Sequence, residues 1–304
     1  MMKRLLFILF LACAIQGMCQ TQLQQWIAHP LADSTSGVWF RNTYLVNATP
    51  QKGEITISST GHFIVYVNSC RVSSDSRNII PDGEKEISIK YDVTRFLRPD
   101  SNTIAVTYLP TSVDKHTRQI ALNFSGIDAD GHQFCYNTDD SWLCMLSDRE
   151  LTPEGELTDN RKNLSFIWHD CTEYAPALWI HATVCPELSY CKPEHSFYPT
   201  IKKAYTLRPR YYEFLGDGIY YEFGTGFYGY IRVTIRDARK GEHIYIAGNE
   251  YICNGTTDEQ AFAVFTQSYL RRPRISGDRY FRSKQIQKVE GIGLIESFHS
   301  SWLY

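Results

Sequence analysis

The chain has 304 residues, of which 43% are hydrophobic and 21% are charged, and this balance excludes a largely disordered protein. Its formal net charge of −2 gives no overall attraction to nucleic acid, so we expect no nucleic-acid partner. Tyrosine (20) and phenylalanine (16) are plentiful and long runs of helix-forming residues are absent, which favours strands.

Residues 1–19 have the pattern of a signal peptide: two basic residues, an apolar stretch and small residues before Gln20. We expect cleavage before Gln20 and export to the periplasm or the outside of the cell. A lipid anchor at Cys19 is the rival interpretation, although the bulky Met18 before it is unfavourable for that processing. No other run approaches the ~20 apolar residues of a membrane span, so we expect no membrane span.

The nine cysteines follow no zinc-binding spacing, and no CxxC pair occurs. Export would permit disulfides, and Cys185 and Cys191 are close enough in sequence to bridge, as are other pairs. The favoured interpretation is that most are buried free thiols. Nothing in the sequence indicates a cofactor or a bound metal. Asp139 and Asp140 carry the oxygen ligands that calcium prefers, but a role in a turn is the better interpretation of that pair.

Short segments of alternating hydrophobicity fill residues 20–185, and each can line a core with one face because strand side chains alternate. Between them, residues 92–99 have room for one helical turn before a proline ends it. Regular strands with turns between them predict a first antiparallel β-sandwich over 20–185. The apolar faces are Phe63, Val65 and Val67, then Ile87, Ile89 and Tyr91, then Ile104, Val106 and Tyr108.

Residues 186–209 contain four prolines and no clear periodicity, which predicts a linker. A second alternating series follows over 210–304. We expect Asp237–Gly241 to close a hairpin between two of its strands, with Gly241 at positive φ. The predicted fold class is therefore all-β, with two tandem antiparallel, jelly-roll-like sandwiches. The second series places Ile231, Val233 and Ile235 on one face, and Ile244 and Ile246 on another.

The stretch GNEYICNGTTDEQAF, residues 248–262, concentrates carboxylates in a way that suggests a reactive site. We predict a strand through Glu250 and Ile252, a turn, and then a loop carrying Asp258 and Glu259. If these two lay on a strand they would point to opposite faces and could not flank one glycosidic bond. The sequence therefore supports carbohydrate binding or loop ordering by Asp258 and Glu259 rather than catalysis.

Two tryptophans have the chemistry to stack on a sugar ring. Trp142 is the candidate that we retain for carbohydrate binding, and Trp168 is a second. A buried position in a sandwich core is the more frequent fate of such residues.

Several motifs follow one another along the chain: Trp26-Ile27, VWFRNTYLV at 38–46, Tyr66-Val67-Asn68, YDVTRFLRP at 91–99, DSNTIAV at 100–106, TDDSW at 138–142 and YEFGTGFYGYIRV at 221–233. In this order they resemble the N-terminal sandwiches of bacterial α-L-rhamnosidases. Ser69 departs from that pattern, because those modules commonly have glycine after the asparagine, and we expect a different turn geometry there. Residues 248–262 fall where that family has a hairpin and its following loop.

The resemblance implies a non-catalytic portion of an enzyme that degrades rhamnose-containing glycans, and the signal-peptide pattern adds that it is exported. Those enzymes carry their catalytic carboxylates on an (α/α)6 barrel after the sandwiches, so no catalytic residue can be assigned here, and we expect a truncated chain without activity of its own. Two alternatives are a stand-alone carbohydrate-binding module and a structural half with a separate catalytic partner. An exposed apolar patch on the second sandwich would favour the last.

Overall fold

The computed structural model describes residues 25–72, 76–77, 87–111, 118–162, 168–170, 176–186, 199–216 and 218–298, and the predicted signal peptide lies outside these ranges. Within them the regular structure is twenty-four strands and four single 3-10 turns, without an α-helix. The prediction of an all-β chain is confirmed. No helix in this part of the chain has the length and apolar character needed to cross a bilayer. The 3-10 turns are Thr94–Phe96, Asn160–Lys162, Pro176–Leu178 and Ser283–Gln285.

The first sandwich has two layers. One layer has the strand order β14-β1-β9-β3-β7, with β10 paired to β9; the other has the order β12-β11-β2-β8-β4-β5, with β13 paired to β11. The strands in this part of the chain are β1 (Trp26–Ala28), β2 (Ser36–Leu45), β3 (Lys52–Ser59), β4 (His62–Val67), β5 (Cys70–Arg71), β6 (Ser76–Arg77), β7 (Ile87–Asp92), β8 (Ser101–Leu109), β9 (Ile120–Ile127), β10 (Gln133–Asn137), β11 (Leu143–Leu151), β12 (Glu156–Asp159), β13 (Ile180–His181) and β14 (Thr183–Cys185). Of these, β6 belongs to a sheet of the second sandwich.

The core of this sandwich forms where the predicted faces meet. Phe63 on β4 and Val106 on β8 are fully buried in one cluster with Phe124 on β9. Ile89 and Tyr91 pack against that cluster from its edge. Period-two patterning was sufficient to identify these residues because each strand has one face towards the opposite sheet.

The second sandwich also has two layers. One has the order β16-β17-β23-β19-β20, and the other has the order β21-β18-β24-β15-β6, with β22 paired to β18. The strands are β15 (Pro199–Leu207), β16 (Tyr211–Leu215), β17 (Gly218–Glu222), β18 (Phe227–Arg236), β19 (His243–Ile246), β20 (Asn249–Ile252), β21 (Asp258–Ala261), β22 (Ser268–Leu270), β23 (Arg274–Gly277) and β24 (Ile286–Phe298).

The long strand β18 shows why the second core forms. Its residues alternate between buried and less buried along its whole length, with Ile231, Val233 and Ile235 buried. These side chains join Ile244 and Ile246 from β19 in one apolar cluster. Both predicted faces of the second series are confirmed.

Two strand pairings connect the sandwiches. Strand β12 pairs in parallel with β20, so that Leu157, Thr158 and Asp159 lie opposite Glu250, Tyr251 and Ile252. Strand β6, from the first part of the chain, pairs with β15 of the second sandwich. One layer therefore runs through both sandwiches as a single twelve-stranded sheet.

The segment Asp237–Gly241 does not close a hairpin, so that prediction was wrong. Strand β18 before it pairs with β21, β22 and β24, whereas β19 after it pairs with β20 and β23. The segment therefore crosses from one layer of the sandwich to the other. Gly241 does have the expected positive φ, at 81°.

The segment that we predicted as a linker, residues 186–209, contains strand β15 (Pro199–Leu207). This strand pairs with β24 over most of its length. Alternation was hard to detect there because a bulge between Lys203 and Tyr205 shifts the register. The boundaries of the two sandwiches otherwise stay a prediction.

The turn at Ser69 keeps the geometry that glycine would favour, which corrects our expectation. Asn68 and Ser69 join β4 to β5 with φ values of 51° and 67°, and positive φ at both central residues is the pattern of a type I′ turn. The Ser69 hydroxyl donates to Asp170 Oδ2 at 2.7 Å. The Asn68 side chain donates to Phe96 O and Asn102 Oδ1, each at 2.8 Å. These hydrogen bonds offset the cost of the left-handed backbone.

The described cysteines are free thiols: Cys70, Cys135, Cys144, Cys185 and Cys253. Cys144 and Cys253 are buried, Cys135 and Cys185 are partly exposed and Cys70 is exposed, so the predicted burial holds for two of the five described cysteines. Burial raises the pKa of the Cys144 thiol to about 12, so it stays protonated and unreactive at neutral pH. Cys191, the suggested partner of Cys185, lies outside the described residues.

Candidate functional site

A buried carboxylate fastens the second sandwich to the first. Glu156, at the start of β12, is fully buried and forms an ion pair with Arg149 on the neighbouring strand β11. It also accepts backbone N–H bonds from Val264 at 3.1 Å, from Phe265 at 2.8 Å and from Thr266 at 3.2 Å. One side chain of the first sandwich therefore fixes the segment between β21 and β22 of the second.

The charges around Glu156 are balanced by Arg149. Burial alone would raise the pKa of Glu156, but the Arg149 guanidinium and the N–H groups of Phe265 and Val264 hold that pKa below its usual range. Burial raises the pKa of the adjacent Asp148, and this is only partly opposed by Arg149. Glu156 is therefore the ionised partner of the guanidinium.

Beside this ion pair, the two sandwiches enclose an open cavity of about 490 Å3, which we call the inter-sandwich cleft. This size lies within the ~300–1,000 Å3 of small-molecule sites. The first sandwich contributes residues from β4, the end of β8 and the β11–β12 connection, and the second contributes β18 and the segment before β22. The lining residues are His62, Leu109, Thr111, Leu151, Thr152, Pro153, Glu154, Gly155, Tyr228, Phe265, Thr266 and Gln267.

The cleft combines aromatic and polar walls. His62 and Phe265 stack across the junction, with ring centroids 5.9 Å apart and planes 12° from parallel. Tyr228 on β18 is 43% exposed. Thr111 Oγ1 and Gln267 Oε1 are buried atoms without a hydrogen-bond partner among the described residues. Unsatisfied buried oxygens are rare in native proteins, so both call for an explanation.

The predicted site residues Asp258 and Glu259 lie on strand β21 rather than on a loop, which corrects that part of the prediction. Their side chains alternate, with Asp258 exposed and Glu259 buried, so they point to opposite faces as strand geometry requires. Asp258 forms an exposed ion pair with Arg236 on the adjacent strand, with the guanidinium Nε at 2.8 Å and Nη2 at 3.0 Å. The two carboxylates therefore do not converge on one bond. The strand expected through Glu250 and Ile252 is confirmed as β20.

Glu259 orders the turn that precedes it. It is 2% exposed and accepts hydrogen bonds from the Tyr251 hydroxyl at 3.0 Å and from Asn160 Nδ2 at 3.0 Å. The backbone N–H groups of Asn254 and Gly255 donate to it at 2.9 Å each. Burial and the neighbouring Glu259 charge raise the pKa of the Tyr251 phenol far above its usual range, so the phenol remains a donor. The observed contacts are those of loop ordering, and sugar binding by this residue stays a prediction.

Trp142, the third predicted site residue, lies in the core of the first sandwich. Its side chain is 0% exposed, so neither ring face is open to a sugar. Trp168 is also buried and stacks on Trp39 with centroids 4.9 Å apart. Both tryptophans are therefore buried, as the interpretation that assigns them to the core expects.

The described acidic residues include one group with metal-ligand spacing. Asp128, Asp130 and His132 bring their ligand atoms within 4.8 Å of one another in the turn between β9 and β10. Asp128 Oδ1 already accepts the backbone N–H groups of Asp130 at 2.9 Å and His132 at 2.8 Å. These hydrogen bonds of the turn are enough to explain why the three side chains lie close together, and no ion is needed. Asp139 likewise accepts Ser141 N at 2.9 Å, in agreement with its predicted turn role.

We expect Glu259→Gln to lower the free energy of unfolding by about 2–3 kcal/mol, because an amide would direct an NH2 group at donors that now bind a carboxylate. Chemical denaturation followed by tryptophan fluorescence measures this change. Asp258→Asn is the matched control, and its unfolding midpoint should not move. A Glu259→Gln variant as stable as the parent would contradict the loop-ordering role.

Comparison with solved structures relates this architecture to known proteins. An α-L-rhamnosidase from Dictyoglumus thermophilum matches 90% of this chain with a TM-score of 0.77 and 17% identity. Those from Aspergillus terreus and Streptomyces avermitilis match 91% and 86% of it, with TM-scores of 0.74 and 0.72 and 16% identity each. The chain shares its fold with a portion of the α-L-rhamnosidases.

The match covers 36%, 36% and 29% of those three rhamnosidases, so this chain spans about a third of their length. The sequence matches no protein-family model and no curated protein. The order of the motifs and the comparison of folds both point to the rhamnosidases, although sequence identity to the solved rhamnosidases is low.

Sequence reasoning missed Glu156 and the inter-sandwich cleft. Glu156 lies in the stretch PEGELTD, which has no recognisable motif. Tyr228 lies within one of the motifs that carried the resemblance, but no role was assigned to it. A carboxylate within a short, otherwise ordinary strand gives no local signal, because its partners are contributed by a distant part of the chain.

Proposed function

We propose that this chain is the exported, non-catalytic N-terminal portion of an α-L-rhamnosidase-like glycoside hydrolase that acts on rhamnose-containing glycans. The observation that carries this proposal is the fold match, which extends over both sandwiches and 86–91% of the chain in three rhamnosidases. A match over so much of the chain favours a portion of a larger enzyme over a single carbohydrate-binding module. Export rests on the sequence of residues 1–19.

The placement of carboxylates supports a non-catalytic role. Glycosidases usually hold two carboxyl groups about 5–9.5 Å apart across the scissile bond. Among the described residues that line the inter-sandwich cleft, Glu154 is the single carboxylate. Asp258 is engaged by Arg236, and Glu259 is saturated by four donors. In this proposal the acid and base of the reaction belong to a catalytic (α/α)6 domain.

An exposed apolar strand supports contact with such a domain. Strand β16 lies at the edge of the twelve-stranded sheet, and all five of its residues are exposed. They include Tyr211, Tyr212, Phe214 and Leu215, with Phe214 64% exposed. Tyr212 and Phe214 share one face of the strand, with ring centroids 5.6 Å apart, and exposed apolar surface of this kind can serve as an interaction site.

Immunoprecipitation tests the proposal whether the catalytic region is attached to this chain or separate from it. Antibodies raised against the purified chain should precipitate α-L-rhamnosidase activity from the protein fraction of the source organism. The same antibodies, first absorbed with purified chain, are the control. The purified chain alone should release no rhamnose from an aryl α-L-rhamnoside.

Two results would contradict the proposed function. One is rhamnosidase activity that stays entirely in solution while the chain is fully precipitated. The other is rhamnose release by the purified chain that disappears in Glu259→Gln, since this would place a catalytic carboxylate within the sandwiches.

A further inference from the structure

We propose that the inter-sandwich cleft is a binding site for a neutral saccharide, formed jointly by the two sandwiches. The observation is the juxtaposition of an exposed tyrosine face, unpaired polar oxygens and an uncompensated surface carboxylate around one cavity of suitable size. The ligand class follows from the chemistry of the cleft. Only the choice of rhamnose as a probe rests on the proposed function.

The cavity has the size and position of a ligand site. Its volume of about 490 Å3 gives room for one or two sugar rings. Its walls come from both sandwiches, and clefts between domains are frequent locations for binding sites. A saccharide here would contact residues as distant in sequence as His62 and Gln267.

Tyr228 provides the apolar contact that a sugar ring requires. It lies on strand β18 and is 43% exposed beside the cavity. The C–H face of a pyranose packs on an aromatic ring, whose faces carry partial negative charge. The stacked His62 and Phe265 rings give the cleft a second aromatic surface.

The polar walls match a ligand that is rich in hydroxyl groups. Thr111 Oγ1 and Gln267 Oε1 are buried oxygens of lining residues and have no hydrogen-bond partner among the described residues. Rotation of either side chain towards the cavity would let its oxygen accept a hydrogen bond from a sugar hydroxyl. Binding would then satisfy atoms whose desolvation is otherwise uncompensated.

The charge of the cleft selects a neutral ligand. Its described lining residues include no lysine or arginine. Glu154 contributes a carboxylate that accepts hydrogen bonds from hydroxyl groups but repels anions. A uronic acid or a phosphate would therefore meet like charge and no cation, whereas a neutral sugar would meet acceptors.

The Glu156 anchor keeps the walls in place. It holds the backbone of Phe265 and Thr266, both lining residues, against the first sandwich. A cleft that is already formed requires little ordering when a ligand enters, which favours affinity.

Calorimetric titration of the purified chain with methyl α-L-rhamnoside, D-glucose and D-glucuronate tests this proposal. We expect binding of one or both neutral sugars and none of the uronate. Tyr228→Ala should weaken that binding about tenfold, equivalent to ~1.4 kcal/mol. Tyr245→Ala is the matched control, because Tyr245 is a similarly exposed strand tyrosine, 41% against 43%, outside the cleft.

Gln267→Leu provides a second variant that does not depend on the aromatic ring. It removes the unpaired amide oxygen, so it should weaken neutral-sugar binding while leaving the unfolding midpoint unchanged or higher. The proposal is overturned if the chain binds none of the sugars, or if binding is unchanged in both Tyr228→Ala and Gln267→Leu. Neither result affects the immunoprecipitation of rhamnosidase activity, so failure of this inference and failure of the proposed function are distinguishable.

Discussion

Replacing Glu156 with alanine is expected to lower the free energy of unfolding by about 3–5 kcal/mol, because the buried Arg149 guanidinium loses its closest counter-charge and keeps only the Asp148 carboxylate, 3.7 Å away. The backbone N–H groups of Val264, Phe265 and Thr266 would also lose their acceptor. Chemical denaturation measures the loss. We also expect weaker saccharide binding, since two of those residues line the inter-sandwich cleft.

The control for this variant is Glu154→Gln, two residues earlier in the same connection. Glu154 is exposed, so its replacement should change the free energy of unfolding by less than about 0.5 kcal/mol. The double variant Arg149→Met/Glu156→Leu should recover the part of the loss that comes from the unpaired guanidinium, because two apolar side chains can replace a buried ion pair, but the N–H groups of Val264, Phe265 and Thr266 would still lack their acceptor. A Glu156→Ala protein as stable as Glu154→Gln would show that the ion pair does not fasten the sandwiches.

The Glu156 carboxylate is expected to make the free energy of unfolding depend on pH. Glu156 has a pKa that is lower in the folded chain than its unfolded value of about 4.3, so its contribution is fully present above that pH. The contribution is lost as the pH falls through the folded pKa. The contribution of Asp148 to stability has the opposite sign, since burial raises its pKa. Acidification protonates Asp148 and removes the cost of keeping a buried charge. Glu156→Gln should therefore lose less stability on acidification than the parent, as measured by denaturation between about pH 6 and pH 3.

Trp142→Ala is expected to lower the free energy of unfolding by about 3–5 kcal/mol and to leave saccharide binding unchanged at temperatures where the variant is folded. The side chain is 0% exposed among the core residues of the first sandwich, so its removal leaves a cavity. The measurement pairs chemical denaturation with calorimetric titration.

Leu45→Ala is the matched control for Trp142→Ala, because Leu45 belongs to the same sandwich and is 81% exposed. Its stability should match that of the parent. If Trp142→Ala instead retained full stability and lost sugar binding, the carbohydrate-binding role predicted from sequence would be correct and the core assignment wrong.

The sequence by itself determined the class of fold and most of the apolar core. Strand side chains alternate with a period of two, so the spacing of Ile231, Val233 and Ile235 was enough to predict a buried face. No information from any other part of the chain was needed. The same rule predicted that Asp258 and Glu259 would point to opposite faces if they lay on a strand, as β21 confirms. Motif order carried the rhamnosidase resemblance.

Which strands pair, and what lies between the sandwiches, was decided by tertiary structure. Asp237–Gly241 looked like a hairpin because turn residues separate two strands, yet each strand belongs to a different layer. Glu156 meets Phe265 across 109 positions of sequence. The cleft likewise joins His62 to Gln267. The local sequence pattern predicts which face of a strand is buried. The partners of a buried carboxylate and the walls of a cavity depend on contacts between distant segments, and these contacts exist only once the two sandwiches have packed together.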